Sequence, residues 1–318
     1  MNRKFYLVLD TETATLPFAN DVCKDATQKQ KIAIAKPLVY DIGWLIIDRQ
    51  GNIYKKVNYL VQETFFVPNV FNTAYYCNKR PIYMEMLANN EISAKNWKDI
   101  AKELQEDLEN INIATAYNAT FDYKKAIPFT EKYIYHLYRS DFNDWEKKQN
   151  KSCKTLLYGK NTDNKNSDFL KPVFNFKNKE YPMCDLWGLA CEKLINIDKY
   201  RNFCLENNLL TTSKTFFKTS AETSFQYLMK DFDFIESHTA LSDAEIESQI
   251  LLKALKKGAV NPLLIPFPFK ELGTTYDYVK EKKPKYKEIL AESIAEYLET
   301  LKPNTSYYTK MQNILATL

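Results

Sequence analysis

At 318 residues, with 45% apolar and 14% aromatic residues, the chain is long and hydrophobic enough to bury a sizeable core, which excludes a globally disordered protein. A net charge of +4 is too small to argue for a polyanion partner, so any basic surface has to be local. The six cysteines form no C-x-x-C pair, so no zinc site is expected, and the six glycines form no phosphate-cradling loop, so phosphate chemistry would need metal ions.

Residues 5–9 are a short apolar run suited to a buried strand ending on Asp10-Thr11-Glu12. This run is too brief for a signal peptide or a membrane span, which leads to the expectation of a soluble cytoplasmic chain with reduced thiols and no membrane partner. Residues 39–48 and 53–61 are β-rich and separated by Arg49-Gln50-Gly51-Asn52, a turn signal, so they form an antiparallel hairpin. From 94 to 111, Trp97, Ile100, Ala101, Leu104, Leu108 and Ile111 recur at helical spacing, with the start expected near Ser93 or Ala94. A strand at 113–117 follows, and Asn118-Ala119-Thr120 leads into a helix carrying Phe121 and Asp122.

Residues 128–182 are rich in Asn, Lys and aromatics without sustained periodicity and are expected to be an insertion. Helices follow from Leu186, from Thr219 or Ser220 to Met229, and over 240–256. The order of strands, hairpin and alternating helices predicts an α/β fold, a mixed sheet flanked by helices. Residues 1–258 are expected to be the main domain, and 259–318 a Pro/Lys-rich linker with a C-terminal helix.

Hydrolysis of a phosphodiester without a glycine cradle calls for divalent cations, and hard cations take several converging carboxylates. Asp10 and Glu12, two apart on a strand, share one face. Alone they would be read as solvated charges, and Asp122 and Asp243 as helix N-terminal charges. Asp185 is read as a helix N-cap in preference to a substrate-side carboxylate.

Three separated segments weigh more together: Leu9-Asp10-Thr11-Glu12-Thr13, then Asn118-Ala119-Thr120-Phe121-Asp122, then His238-Thr239-Ala240-Leu241-Ser242-Asp243-Ala244. In these the chain resembles the DEDDh branch of the DnaQ-like 3′–5′ exonucleases. The five-residue step from His238 to Asp243 is the most discriminating detail, because a tyrosine-type relative would have Tyr where Thr239 stands. The resemblance covers residues from about 4 to 257, outside the 128–182 stretch and the tail. It implies an RNase H-like sheet and a pair of Mg²⁺ or Mn²⁺ ions on Asp10, Glu12, Asp122 and Asp243, with His238 as general base. It further implies substrate contacts from Thr11, Thr13, Ala14, Thr15, Leu16, Asn118 and Phe121, with Leu16 against a base and backbone contacts over 13–16. Ala14 and Thr15 stand where many relatives have Gly, and Tyr117 where many have His, which bears on substrate preference.

Nucleic acid with a free 3′ end is therefore the expected partner, single-stranded DNA ahead of RNA, with a polymerase or another replication or repair protein as a second partner. The alternatives are an RNA 3′-end trimmer or oligoribonuclease, and a binding scaffold on the same fold. Residues 124–180 carry 13 Lys or Arg against 7 Asp or Glu, interleaved with Tyr133, Tyr135, Tyr138, Phe142, Trp145, Tyr158, Phe169, Phe174 and Phe176. They would suit phosphate neutralisation and base stacking, or simply pack on the core. Phe65, Phe66, Phe71, Tyr75 and Tyr76 are read as core.

Overall fold

The computed structural model describes residues 4–16, 36–149, 171–303 and 305–318. It is an α/β structure built on a seven-stranded mixed sheet flanked by helices. Strands β1 (Phe5–Thr15), β2 (Pro37–Asp48) and β3 (Ile53–Val61) form an antiparallel meander, and β4 (Ser93–Lys95) adds in parallel at the β3 edge. On the other side of β1 lie β5 (Ile113–Ala116) and β7 (Lys179–Asp185) in parallel, with β6 (Val173–Phe176) antiparallel at the far edge. The order is β4-β3-β2-β1-β5-β7-β6.

The period-two alternation of β1 feeds two cores. Leu7 and Leu9 enter one with Trp44, Leu104 and Tyr123, while Tyr6 and Val8 enter the other with Leu45, Ile47 and the helices that follow residue 186. The first core receives the helices that precede residue 138, α1 (Arg80–Ala88), α2 (Trp97–Leu108) and α3. Helix α3 starts as Ala119–Phe121, passes through a π-helical turn, Asp122–Ala126, and continues as Ile127–Leu137. The second core receives α4 (Leu186–Leu189), α5 (Ala221–Met229) and α6 (Ala240–Lys257). Helix α6 buries Ala240, Asp243, Ala244, Glu247, Ile250, Leu251, Ala254 and Leu255, a stripe at three- and four-residue spacing.

Several boundaries differ from the sequence reading. β1 does not stop at Glu12: pairing with β2 carries it to Thr15, past a register shift between Glu12 and Thr13. Helix α2 starts three or four residues later than expected, because residues 93–95 pair with β3 and Asn96 is the cap, accepting from the Asp99 amide at 3.0 Å. The 128–182 stretch is not wholly an insertion. Its first part is α3, with Tyr133 and Ile134 buried, and its last part is the β6–β7 hairpin that widens the sheet. Phe142, Trp145, Phe174 and Phe176 pack on the core, while Tyr135 and Tyr138 are exposed; Tyr158, Phe169, Lys151 and Lys154 lie outside the described residues.

The 259–318 segment also departs from a linker with one helix. The Leu263 amide donates to Met183 O at 3.1 Å and Leu263 O accepts from the Asp185 amide at 2.8 Å, so the Pro-rich stretch is tied to β7. Three helices follow, Thr275–Lys282, Lys287–Glu299 and Ser306–Thr317, around a small core of Val279, Leu290, Ile294, Leu298, Met311 and Ile314. Among the described residues no helix is long and apolar enough to cross a membrane.

Candidate active site

Asp10 and Glu12 lie on the same face of β1 as Tyr6 and Val8, the face that α6 covers. They stand at a rim because β5 pairs with β1 only as far as Val8. Past that point the chain turns at Tyr117 and Asn118, the latter in the left-handed conformation (φ 63°), and enters α3 with Asp122 at its π turn. The Thr11 hydroxyl donates to Asp122 Oδ1 at 2.6 Å and ties the first two motifs together.

The third motif arrives on α6. A glycine makes this approach possible: a Cβ on Gly43, which is paired with Asp10, would lie 2.3 Å from the Leu241 amide nitrogen and 2.7 Å from the Ala240 carbonyl carbon. The start of α6 is fixed by the buried Asp41 carboxylate, which accepts from the Ala240 amide and from the Tyr83 hydroxyl, each at 2.9 Å. Asp243 in the first turn and Glu247 one turn later both face the sheet. One ligand atom from each of Glu12, His238 and Asp243 lies within 4.8 Å of the others.

His238 precedes α6 in a left-handed conformation (φ 52°) unusual for a residue with a side chain. Its Nδ1 is 3.9 Å from Asp243 Oδ2 and 3.7 Å from Glu236 Oε2. Tyr76 stacks on the imidazole, with centroids 4.4 Å apart and planes 16° from parallel. The Lys79 ammonium sits 4.5 Å from the centre of the Tyr76 ring and donates to Ser237 O. Burial and the Lys79 charge hold the imidazole pKa below its usual value, so the ring is neutral at physiological pH.

The carboxylates behave oppositely. Burial, then Glu247, Asp122, Asp243 and Glu12, push Asp10 well above the usual carboxylate range. Burial and the Asp243 charge lift Glu12 to about 9, burial and Glu236 lift Asp243 to about 8, and burial lifts Asp122 to about 7 against the Thr11 hydrogen bond. Glu247 is likewise raised, by burial and by Asp122. The buried Asp243 Oδ1 has no hydrogen-bond partner. An unpartnered carboxylate oxygen beside Glu12 and His238, in a crowd of mutually repelling acids, offers donors that suit a hard divalent cation.

Sequence reasoning missed Glu247, Asp41 and Tyr76. Glu247 accepts from the Tyr117 amide at 3.0 Å and is 2% exposed. Its signal was available, four residues after Asp243 and inside the apolar stripe of α6. Tyr76 was assigned to the core, where Phe65 and Phe71 do lie, but it covers His238 instead.

The expected substrate contacts divide. Thr11 is spent on Asp122, while Thr13 is half-buried on β1 beyond the bulge. Thr15 and Leu16 differ from expectation, because β1 continues as a paired strand. The Thr15 amide donates to Thr73 Oγ1 at 2.8 Å, the Leu16 amide to Lys36 O at 3.0 Å, and Ala14 and Leu16 are core residues at 0% and 1% exposure. Leu16 is thus not available to stack on a base. Phe121 is half-buried against the core. The Asn118 amide donates to Asp185 Oδ1 at 3.1 Å, and Asp185 caps α4 by accepting from the Trp187 amide at 2.9 Å.

No protein-family model, curated protein or solved structure matches the chain.

Proposed function

We propose that this chain is a divalent-metal-dependent 3′–5′ exonuclease of the DEDDh type on an RNase H-like sheet, releasing nucleoside 5′-monophosphates from single-stranded nucleic acid, with DNA ahead of RNA. The observation that carries this reading is the meeting of Asp10, Glu12, Asp122, Asp243 and His238, from three distant segments, at one sheet rim. A binding scaffold has no use for acids held together at the expense of their own ionisation.

Asp10, Glu12, Asp122 and Asp243 would hold two Mg²⁺ or Mn²⁺ ions, with Glu247 beside Asp10 and Asp122 as a further carboxylate. When bound, such ions supply Lewis-acid polarisation of the phosphoryl group and stabilise charge on the departing oxygen. His238, neutral through burial, accepts the proton of the attacking water as the new P–O bond forms. The bond from phosphorus to the preceding nucleotide's 3′ oxygen breaks, and that oxygen takes up a proton from solvent. Tyr76 fixes the plane of the imidazole, and Lys79 discourages its premature protonation.

The test is a time course with Mg²⁺ or Mn²⁺ on 5′-labelled single- and double-stranded DNA and RNA. A ladder shortening from the 3′ end is expected, fastest on single-stranded DNA. Absence of cleavage on all four substrates would refute the reading.

A further inference from the structure

Behind the strand end that carries the acids lie two adjoining cavities, of about 460 and 310 Å³, with Asn118 and Trp187 common to both walls. None of the five clustered carboxylates lines them. Tyr117 separates the two regions: its amide donates to Glu247 and its hydroxyl to Thr219 O, in the wall of the larger cavity. The indole of Trp187 is pinned by a 2.8 Å hydrogen bond to Thr219 Oγ1 and stacks on Phe269, centroids 5.9 Å apart.

Phe269 and its neighbour Phe267 come from the segment tied to β7 through Leu263. Phe267 is 60% exposed and held in a left-handed conformation (φ 53°, ψ 56°), so core burial does not account for it. The Lys270 ammonium lies 4.6 Å from its ring centre. Lys218 lines one cavity and Lys125 the other. Among the described residues of these walls the one carboxylate, Asp185, is occupied by backbone amides, and Lys218 pairs at 3.8 Å with Glu222 at the cavity's edge.

Flat aromatic faces beside ammonium groups, separated from the acid cluster by Tyr117 alone, match the chemistry of an unpaired nucleotide: a base to stack and a phosphate to neutralise. We propose that Trp187, Phe267 and Phe269 with Lys218 form the subsite for nucleobases of the strand whose 3′ end enters the acidic site. The C-terminal segment thereby becomes part of the substrate channel. This inference rests on the exonuclease reading for the identity of the strand.

Binding of 5′-fluorescein oligothymidylate to the full chain in EDTA, followed by anisotropy, tests it. Phe267→Ala is expected to weaken binding about 5- to 150-fold for one lost base stack, and Phe267→Trp to retain it. Lys218→Gln is expected to lower the log-log salt slope by about 0.7. An oligomer of abasic nucleotides is expected to bind weakly, and equally to wild type and Phe267→Ala. Unchanged oligothymidylate affinity in Phe267→Ala, or an equal loss of affinity on the abasic strand, would overturn the subsite. The two readings fail separately. A cleavage ladder in Mg²⁺ with unaltered Phe267→Ala binding refutes only the subsite. Base-dependent binding without a ladder refutes only the catalysis.

Discussion

Gly43 and Leu241 are in backbone contact: the hydrogen of the glycine points at the first turn of α6, and a methyl group there would lie 2.3 Å from the Leu241 nitrogen. Because Gly43 pairs with Asp10 across the sheet, this contact sets the depth at which Asp243 and Glu247 meet β1. Gly43→Ala is expected to lift the start of α6, at a cost of about 1–3 kcal/mol in stability from overpacking. It should also sharply reduce hydrolysis while leaving the fold intact. Thermal unfolding and the gel assay check both; an alanine variant with wild-type activity would mean that the spacing tolerates movement.

The crowded acids make the metal-free protein sensitive to pH. Glu12 at about 9, Asp243 at about 8 and Asp122 at about 7 bind protons in the folded state that the unfolded chain, with ordinary carboxylates near pH 4, has released. The folded state therefore loses stability as pH rises from about 4 to about 9. In EDTA the melting temperature is expected to fall over this window, and Mg²⁺ or Mn²⁺ should flatten the fall. A hundredfold excess over Kd adds about 2.7 kcal/mol. A pH-independent metal-free melting temperature would contradict the clustering.

Removing one charge separates strain from ligation. Asp122→Asn and Asp243→Asn are expected to melt at or above wild type in EDTA, to gain less from metal, and to lose hydrolysis. The Asp122 replacement can still accept from Thr11. Scanning fluorimetry reads this directly, and equal metal increments in wild type and both variants would dissociate these residues from a shared metal site.

Glu247→Gln keeps an acceptor for the Tyr117 amide but removes the charge beside Asp10 and Asp122. If the carboxylate serves the metals, the midpoint of a Mn²⁺ titration moves to higher concentration while metal-free stability rises. If it only holds the Tyr117 amide, neither quantity moves.

His238→Ala is expected to lower the rate about 10²–10⁴-fold, as for loss of a general base, and to erase the acidic limb of the pH profile. Tyr76→Ala exposes the ring, so that limb should move up towards about pH 6.5, whereas Tyr76→Phe keeps the stack and should leave it in place. A profile unaltered in Tyr76→Ala would assign the stack to packing alone.

The motif residues and the main strands were legible because each carries a local signal. Asp10 and Glu12 share strand parity, the 53–61 hairpin follows a Gly-Asn turn, and the stripe of α6 has helical spacing. What escaped depends on distant pairing. Residues 93–95 become a strand only because β3 lies beside them, and Leu263 acquires its partners from β7. Leu16 follows a motif whose continuation is governed by β2, so its burial was invisible locally. Tyr76 sits in an aromatic cluster of which only Phe65 and Phe71 are core residues, while Phe66 and Tyr75 are exposed against expectation, and composition does not say which ring turns towards the histidine.

The bonds that close the acidic site span long stretches of chain: 111 residues between Thr11 and Asp122, 130 between Tyr117 and Glu247, 199 between Asp41 and Ala240. Such closure is slow, and during synthesis it waits on α6, which leaves the ribosome long after β1. A growing chain thus carries separated, solvated carboxylates and no acid cluster. The acid cluster is therefore assembled only when the late helix docks over Gly43.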